Sequence, residues 1–126
     1  MTPKPIILVV DDDVPILALM RSLLREFGFE AVTAENGREA IAQVRKSRPS
    51  VALIDKNMPG MTGPEVIRAL RNEPGFDGLP ILILSGEPVT SSELKALGVD
   101  GAVLKPFDIQ ALIAQLRSFT VVEQTA

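Results

Sequence analysis

A doubly wound α/β fold on a five-stranded parallel sheet is predicted by three observations. Strand-like and helix-like segments alternate five times along the 126 residues. The strand segments are short and uniformly apolar, as befits strands covered on both faces by helices. The segments between them repeat apolar residues at helical spacing. Five βα units with right-handed crossovers then give an open doubly wound sheet, for which the common order is 2-1-3-4-5, with its switch point between the first and third strands.

The first strand is Ile6–Val10, which runs into Asp11-Asp12-Asp13. Asp13 precedes Val14-Pro15 and reads as the cap of the first helix. The helix carries a stripe of Ile16, Leu19, Met20, Leu23, Leu24 and Phe27, closed by Gly28 as C-cap. Ala31–Ala34 is the second strand and the weakest of the five, and a helical segment leads from it to the third, Val51–Ile54. Asp55 follows directly, then Lys56 and Asn57. Lys56 is expected to alternate away from Asp55 into solvent, with no part in catalysis. Met58-Pro59-Gly60 then has Pro and Gly in the order of a type II turn.

Thr62-Gly63-Pro64-Glu65 and Thr90-Ser91-Ser92-Glu93 are capping boxes that open the third and fourth helices. Between them, strand four, Ile81–Leu84, ends in Ser85-Gly86. Strand five, Ala102–Leu104, ends in Lys105-Pro106-Phe107. Asp108 caps the last helix, with its stripe of Ile109, Leu112, Ile113 and Leu116.

Composition narrows the function. Apolar residues make up 46% and charged residues 23%, as in a soluble globular domain. Net charge is −3, from 13 basic and 16 acidic residues, and no basic tract offers a site for nucleic acid or an anionic membrane. Without cysteine there are no disulfides, catalytic thiols or thiolate metal sites, which suits a cytoplasmic protein. Without histidine the chain supplies no imidazole ligand, His base or phosphohistidine donor. Its longest apolar run, Ile6–Val10, falls far short of the ~18 residues of a membrane helix. MTPKP reads as a natural start with no secretory signal. Residues 1–120 are expected to form one domain, and 121–126 a short tail.

Ligands of doubly wound sheets bind beyond the carboxyl ends of the strands at the switch point. There the predicted order brings Asp11 and Asp12 beside Asp55. Taken singly, the Asp triplet is a helix cap and Asp55 a turn residue. Together, two carboxylates ~5 Å apart repel by about 3 kcal/mol at an effective dielectric of about 20. A hard divalent cation removes that repulsion, and carboxylates plus waters suit Mg²⁺. Ser85 and Lys105, taken singly an ordinary strand end and a solvated lysine, add a hydroxyl donor and a cation at the same rim. The set suits a transferred phosphoryl group, with a carboxylate able to accept it as an acyl phosphate. No GxxxxGK[ST] or GxGxxG loop competes for that reading.

ILVVDDD, ALIDKNMPGMTG, ILILSG and LKPF, in that order and spacing, closely resemble response-regulator receiver domains of two-component signalling. The resemblance implies a flavodoxin-like fold and makes Asp55 the phosphoacceptor. It implies Mg²⁺ held by Asp11, Asp12, Asp55 and the backbone carbonyl of Asn57, with Ser85 as the switch hydroxyl and Lys105 as the phosphate-binding lysine. It further implies a cis Lys105–Pro106 bond, a site left open by small Gly86, and tuning of phosphoryl lifetime by Asn57 and Glu87. The donor would be a histidine kinase or histidine phosphotransfer protein. The activity would be the domain's own aspartyl phosphorylation and dephosphorylation, not that of a stand-alone enzyme. Output to a downstream protein would pass through the face of helix four, strand five and helix five, without direct contact to nucleic acid or membrane.

One position departs from the family. An aromatic commonly stands three residues before the lysine, where this chain has Ala102. The relay from Ser85 would then run through the loop from Gly86 to Ser92. The competing reading is an interaction module with the receiver fold that works without phosphorylation. A Mg²⁺-dependent phosphatase is the third, and such enzymes need cap segments that 126 residues do not accommodate.

Overall fold

The computed structural model describes residues 4–58 and 60–120. Five strands and five helices alternate: β1 (Ile6–Val10), α1 (Val14–Glu26), β2 (Glu30–Ala34), α2 (Gly37–Ser47), β3 (Val51–Asp55), α3 (Gly63–Arg71), β4 (Ile81–Ser85), α4 (Ser91–Leu97), β5 (Gly101–Leu104) and α5 (Ile109–Thr120). The sheet is parallel throughout, in the order β2-β1-β3-β4-β5. Strand alternation divides the core. Leu8, Val10, Ala52, Ile54, Ile81 and Ile83 pack against α2 and α3 on one face. Ile7, Val9, Val51, Leu53, Leu82 and Leu84 pack against α1 and α5 on the other. Both faces are dry, so the strands have no polar side to alternate with.

Strands two to five each gain one residue over the expected limits, and for β3 and β4 that residue is Asp55 and Ser85. Both extend the ladder, Asp55 opposite Leu84 and Ser85 opposite Leu104. The polar side chains thus belong to the rigid sheet and not to the loops beyond it.

The stripe predicted for α1 needs correction. Leu17, Met20 and Leu24 are its buried residues, while Leu19 is 50% exposed and Ile16 and Leu23 are half-buried. ILALM is apolar on every side of the first turns, so spacing alone left the phase open. The start sets it: Asp13 accepts from the Ile16 N–H at 3.2 Å, and Pro15 lies in the first turn. The C-cap is Phe27, and Gly28 follows at φ +91°. The Gly28 N–H bonds Arg25 and the Phe29 N–H bonds Leu24, a Schellman closure that seats buried Phe29.

Both expected capping boxes form, at Thr62/Glu65 and at Thr90/Glu93, and Asp108 caps α5 by accepting from the Gln110 N–H at 3.1 Å. Of α5's stripe, Leu112, Ile113 and Leu116 are buried. By contrast α4, seven residues long, buries none of its side chains fully. Leu94 and Leu97 pack only partly, together with Val89, Val99 and Ala102. It is the loosest helix on the sheet. The expected turn at Met58-Pro59-Gly60 includes Pro59, and the expected tail covers 121–126, so both lie outside the described residues; Gly60 itself has φ +84°.

Candidate functional site

Three strand ends meet beyond the carboxyl edge of the sheet. Asp11 follows β1 and is 1% exposed, Asp55 ends β3 at 7%, and Asp12 is exposed. Carboxylate oxygens of the three lie within 4.8 Å of one another. Lys105, just past β5, lays its Nζ between two of them, 3.3 Å from Asp11 Oδ2 and 3.4 Å from Asp55 Oδ1. Asp11 Oδ1 also accepts from the Asp13 N–H at 3.0 Å, which ties the acid cluster to the start of α1. The Lys105–Pro106 peptide is cis, as expected.

The electrostatics follow from this packing. Burial pushes the Asp55 carboxyl above the ordinary carboxylate value, and the Asp11 charge adds to it; Lys105 and the Asn57 N–H act in the opposite direction. For Lys105, burial works against the charge, yet Asp11 and Asp55 outweigh it and hold the ammonium above its usual range. A single lysine thus stands against three carboxylates, an imbalance that a divalent cation would remove. The donor set fits a hard ion. It offers only oxygen, two members are fixed by burial, and the third is open to solvent.

Ser85 is buried at the end of β4, but its hydroxyl is engaged elsewhere. It donates to the Glu87 carbonyl at 2.7 Å and accepts from the Glu87 N–H at 3.1 Å, folding the start of the β4–α4 loop back on itself. The backbone of Glu87 makes these contacts, and its side chain is exposed; Asn57 too is exposed, in the loop after β3. Gly86 is exposed, and a Cβ there would meet nothing within 4 Å. Ala102 on edge strand β5 is half-buried against the same core layer on which Leu94 and Leu97 of α4 pack.

Two features escaped the sequence. Lys56 is not simply solvated. It does turn away from Asp55, but its Nζ lies 3.2 Å from Glu93 Oε2, the same carboxylate group whose other oxygen closes the α4 capping box. Gly63 is the second. A Cβ there would lie 2.7 Å from the Asp55 carbonyl and 2.8 Å from that of Lys56, because the start of α3 rests on the end of β3. Its N–H bonds the Lys56 carbonyl at 3.2 Å. No helix among the described residues is long and apolar enough to cross a membrane.

Comparison with known proteins returns one family. The model of the response regulator receiver domain matches residues 7–117. A probable transcriptional regulatory protein, TcrX of Mycobacterium tuberculosis, is 38% identical over 118 residues, 91% of this chain and 50% of that protein. The DNA-binding response regulator MtrA of the same species is 35% identical, over 93% of this chain and 51% of its own. The chain therefore spans about half the length of the curated relatives it matches. Among solved structures, chemotaxis protein CheY4 of Vibrio cholerae superposes with a TM-score of 0.86 at 36% identity, covering 92% of this chain and 98% of that one.

Proposed function

Because this chain belongs to the response regulator receiver domain family, we propose that it is a signalling switch controlled by phosphorylation of Asp55. The observation that carries this reading is the Lys105 ammonium set between Asp11 and Asp55 at the rim where β1 and β3 meet. A carboxylate oxygen of Asp55 attacks the phosphorus of a partner's phosphohistidine. The P–N bond breaks, a P–O bond forms, and the imidazole leaves with its proton restored. Hydrolysis by water later returns the carboxylate and inorganic phosphate. Asp11, Asp12, Asp55 and the Asn57 carbonyl would hold Mg²⁺, which when bound neutralises phosphoryl oxygens. Lys105 supplies a second, fixed positive charge to those oxygens.

Ser85 would turn from Glu87 to the phosphoryl group, releasing the β4–α4 loop. The loosely packed α4, with β5 and α5, is the face inferred to meet a downstream protein. The donor would be a histidine kinase or a histidine phosphotransfer protein. Asn57 and Glu87, both exposed, would tune the access of the hydrolytic water. The receiver unit is taken as residues 1–120. DNA binding named for MtrA is not carried over: a net charge of −3 favours a protein as the direct partner.

Incubation with Mg²⁺ and acetyl phosphate should add one phosphoryl mass, labile to hydroxylamine and absent in Asp55→Asn. No adduct from small donors or from a panel of kinases would overturn the assignment. It would favour the phosphorylation-independent module, to which Ala102 points by lacking the ring usual at its position.

A further inference from the structure

The sequence holds no basic tract, but the fold assembles one. A groove of about 650 Å³ runs along β2, the edge strand, between α1 and α2. Lys4, Arg21, Arg25 and Lys46 line it, against a single acid, Glu30. None of the four cations enters an ion pair among the described residues, in a chain that carries more acids than bases. None of Asp11, Asp12, Asp55, Ser85 or Lys105 reaches the groove.

The floor of the groove is a backbone edge. The Glu30 N–H bonds the Pro5 carbonyl, and the Ala34 carbonyl accepts from the Asp11 N–H, so the even-numbered residues of β2 bond inward to β1. Ala31 and Thr33 therefore turn their peptide groups outward. The Thr33 carbonyl is taken by Gln43 Nε2 at 3.4 Å, and Arg21 donates to the Thr33 hydroxyl at 2.7 Å. Both peptide groups of Ala31 and the Thr33 N–H have no protein partner among the described residues. Arg25, Lys46 and Lys4 line the same groove as that stretch.

We propose that this edge docks an extended acidic segment of a partner protein, which adds to the sheet beside β2 while its carboxylates meet Arg25, Lys46 and Lys4. Strand addition supplies main-chain hydrogen bonds at alternate residues, and the flanking cations select the sign of the side chains. Five residues of β2 offer a strip roughly 16 Å long, enough for a short strand. A nucleic acid would meet the same cations, but it has no use for an unpaired strand edge. The net charge of −3 would also oppose a long phosphate chain. The proposal does not depend on the phosphoacceptor assignment.

Three labelled probes test it by fluorescence anisotropy at low salt: a hexapeptide alternating glutamate and valine, its lysine–valine counterpart, and a thymidine oligonucleotide. The glutamate peptide should bind at least about tenfold more tightly than the lysine peptide. Arg25→Gln with Lys46→Gln should weaken it at least about fivefold, with an unchanged circular dichroism spectrum. The amide resonances of Ala31 and Thr33 should shift most. Equal binding of the two peptides, insensitivity to the double variant, or tighter binding of the oligonucleotide would each overturn the proposal.

Discussion

Asp55 is a carboxylate that the fold holds at a disadvantage. Burial first, and then the Asp11 charge, raise its carboxyl above the ordinary range. A carboxyl raised in the folded state costs stability when ionised, and that cost fades as pH falls through the raised value. Asp55→Asn should therefore melt a few degrees higher than the parent in EDTA at neutral pH, the gap closing on acidification; a lower melting point would contradict the strain. Because the proposed Mg²⁺ needs the ionised carboxylate, its affinity should fall as pH drops through the same window. Gly63 sets the other residue-scale constraint. Gly63→Ala drives a methyl into the backbone of Asp55 and Lys56, which cannot swing aside, and should cost about 2 kcal/mol or more in urea unfolding. The convergence of Asp11, Asp12, Asp55 and Lys105 was legible because these residues stand at strand ends, whereas the turn of the Ser85 hydroxyl toward the Glu87 backbone was not. Nor was the constraint at Gly63, because glycine after a capping threonine has an adequate local explanation.

At the scale of elements, α4 is held by its ends more than by its face. Glu93 closes the capping box and also receives Lys56 from the end of β3. The Thr90 N–H first, and then Lys56, lower its carboxyl below the ordinary value of 4.5. This contribution is present above that value and is lost as pH falls through the lowered one. Lys56→Met should speed amide exchange in α4 roughly threefold and leave α3 unchanged, whereas Glu93→Ala, which removes both bonds, should speed it further. Equal effects would mean that the box contributes nothing. The pair was invisible in the sequence: 37 positions separate its members, and each had a sufficient role nearby. The boxes themselves were legible because they are local, while the phase of α1 was not, since ILALM has no polar residue to orient it.

For the whole molecule, the parallel sheet was readable because dry strands call for a helical layer on each face, and its order because five βα units commonly wind that way. The edge of β2 was not, since its cations come from Lys4, from α1 and from α2, and only the folded chain brings them together. The order β2-β1-β3-β4-β5 carries a consequence of its own. An open sheet has two rims, and here four strand spacings, roughly 19 Å, hold them apart. A guest at β2 and a guest at β5 would each pair with a different rim, and neither would take the other's backbone edge. If the edge of β2 takes the acidic segment proposed above, that neighbour could remain attached as an anchor while another comes and goes at the far rim.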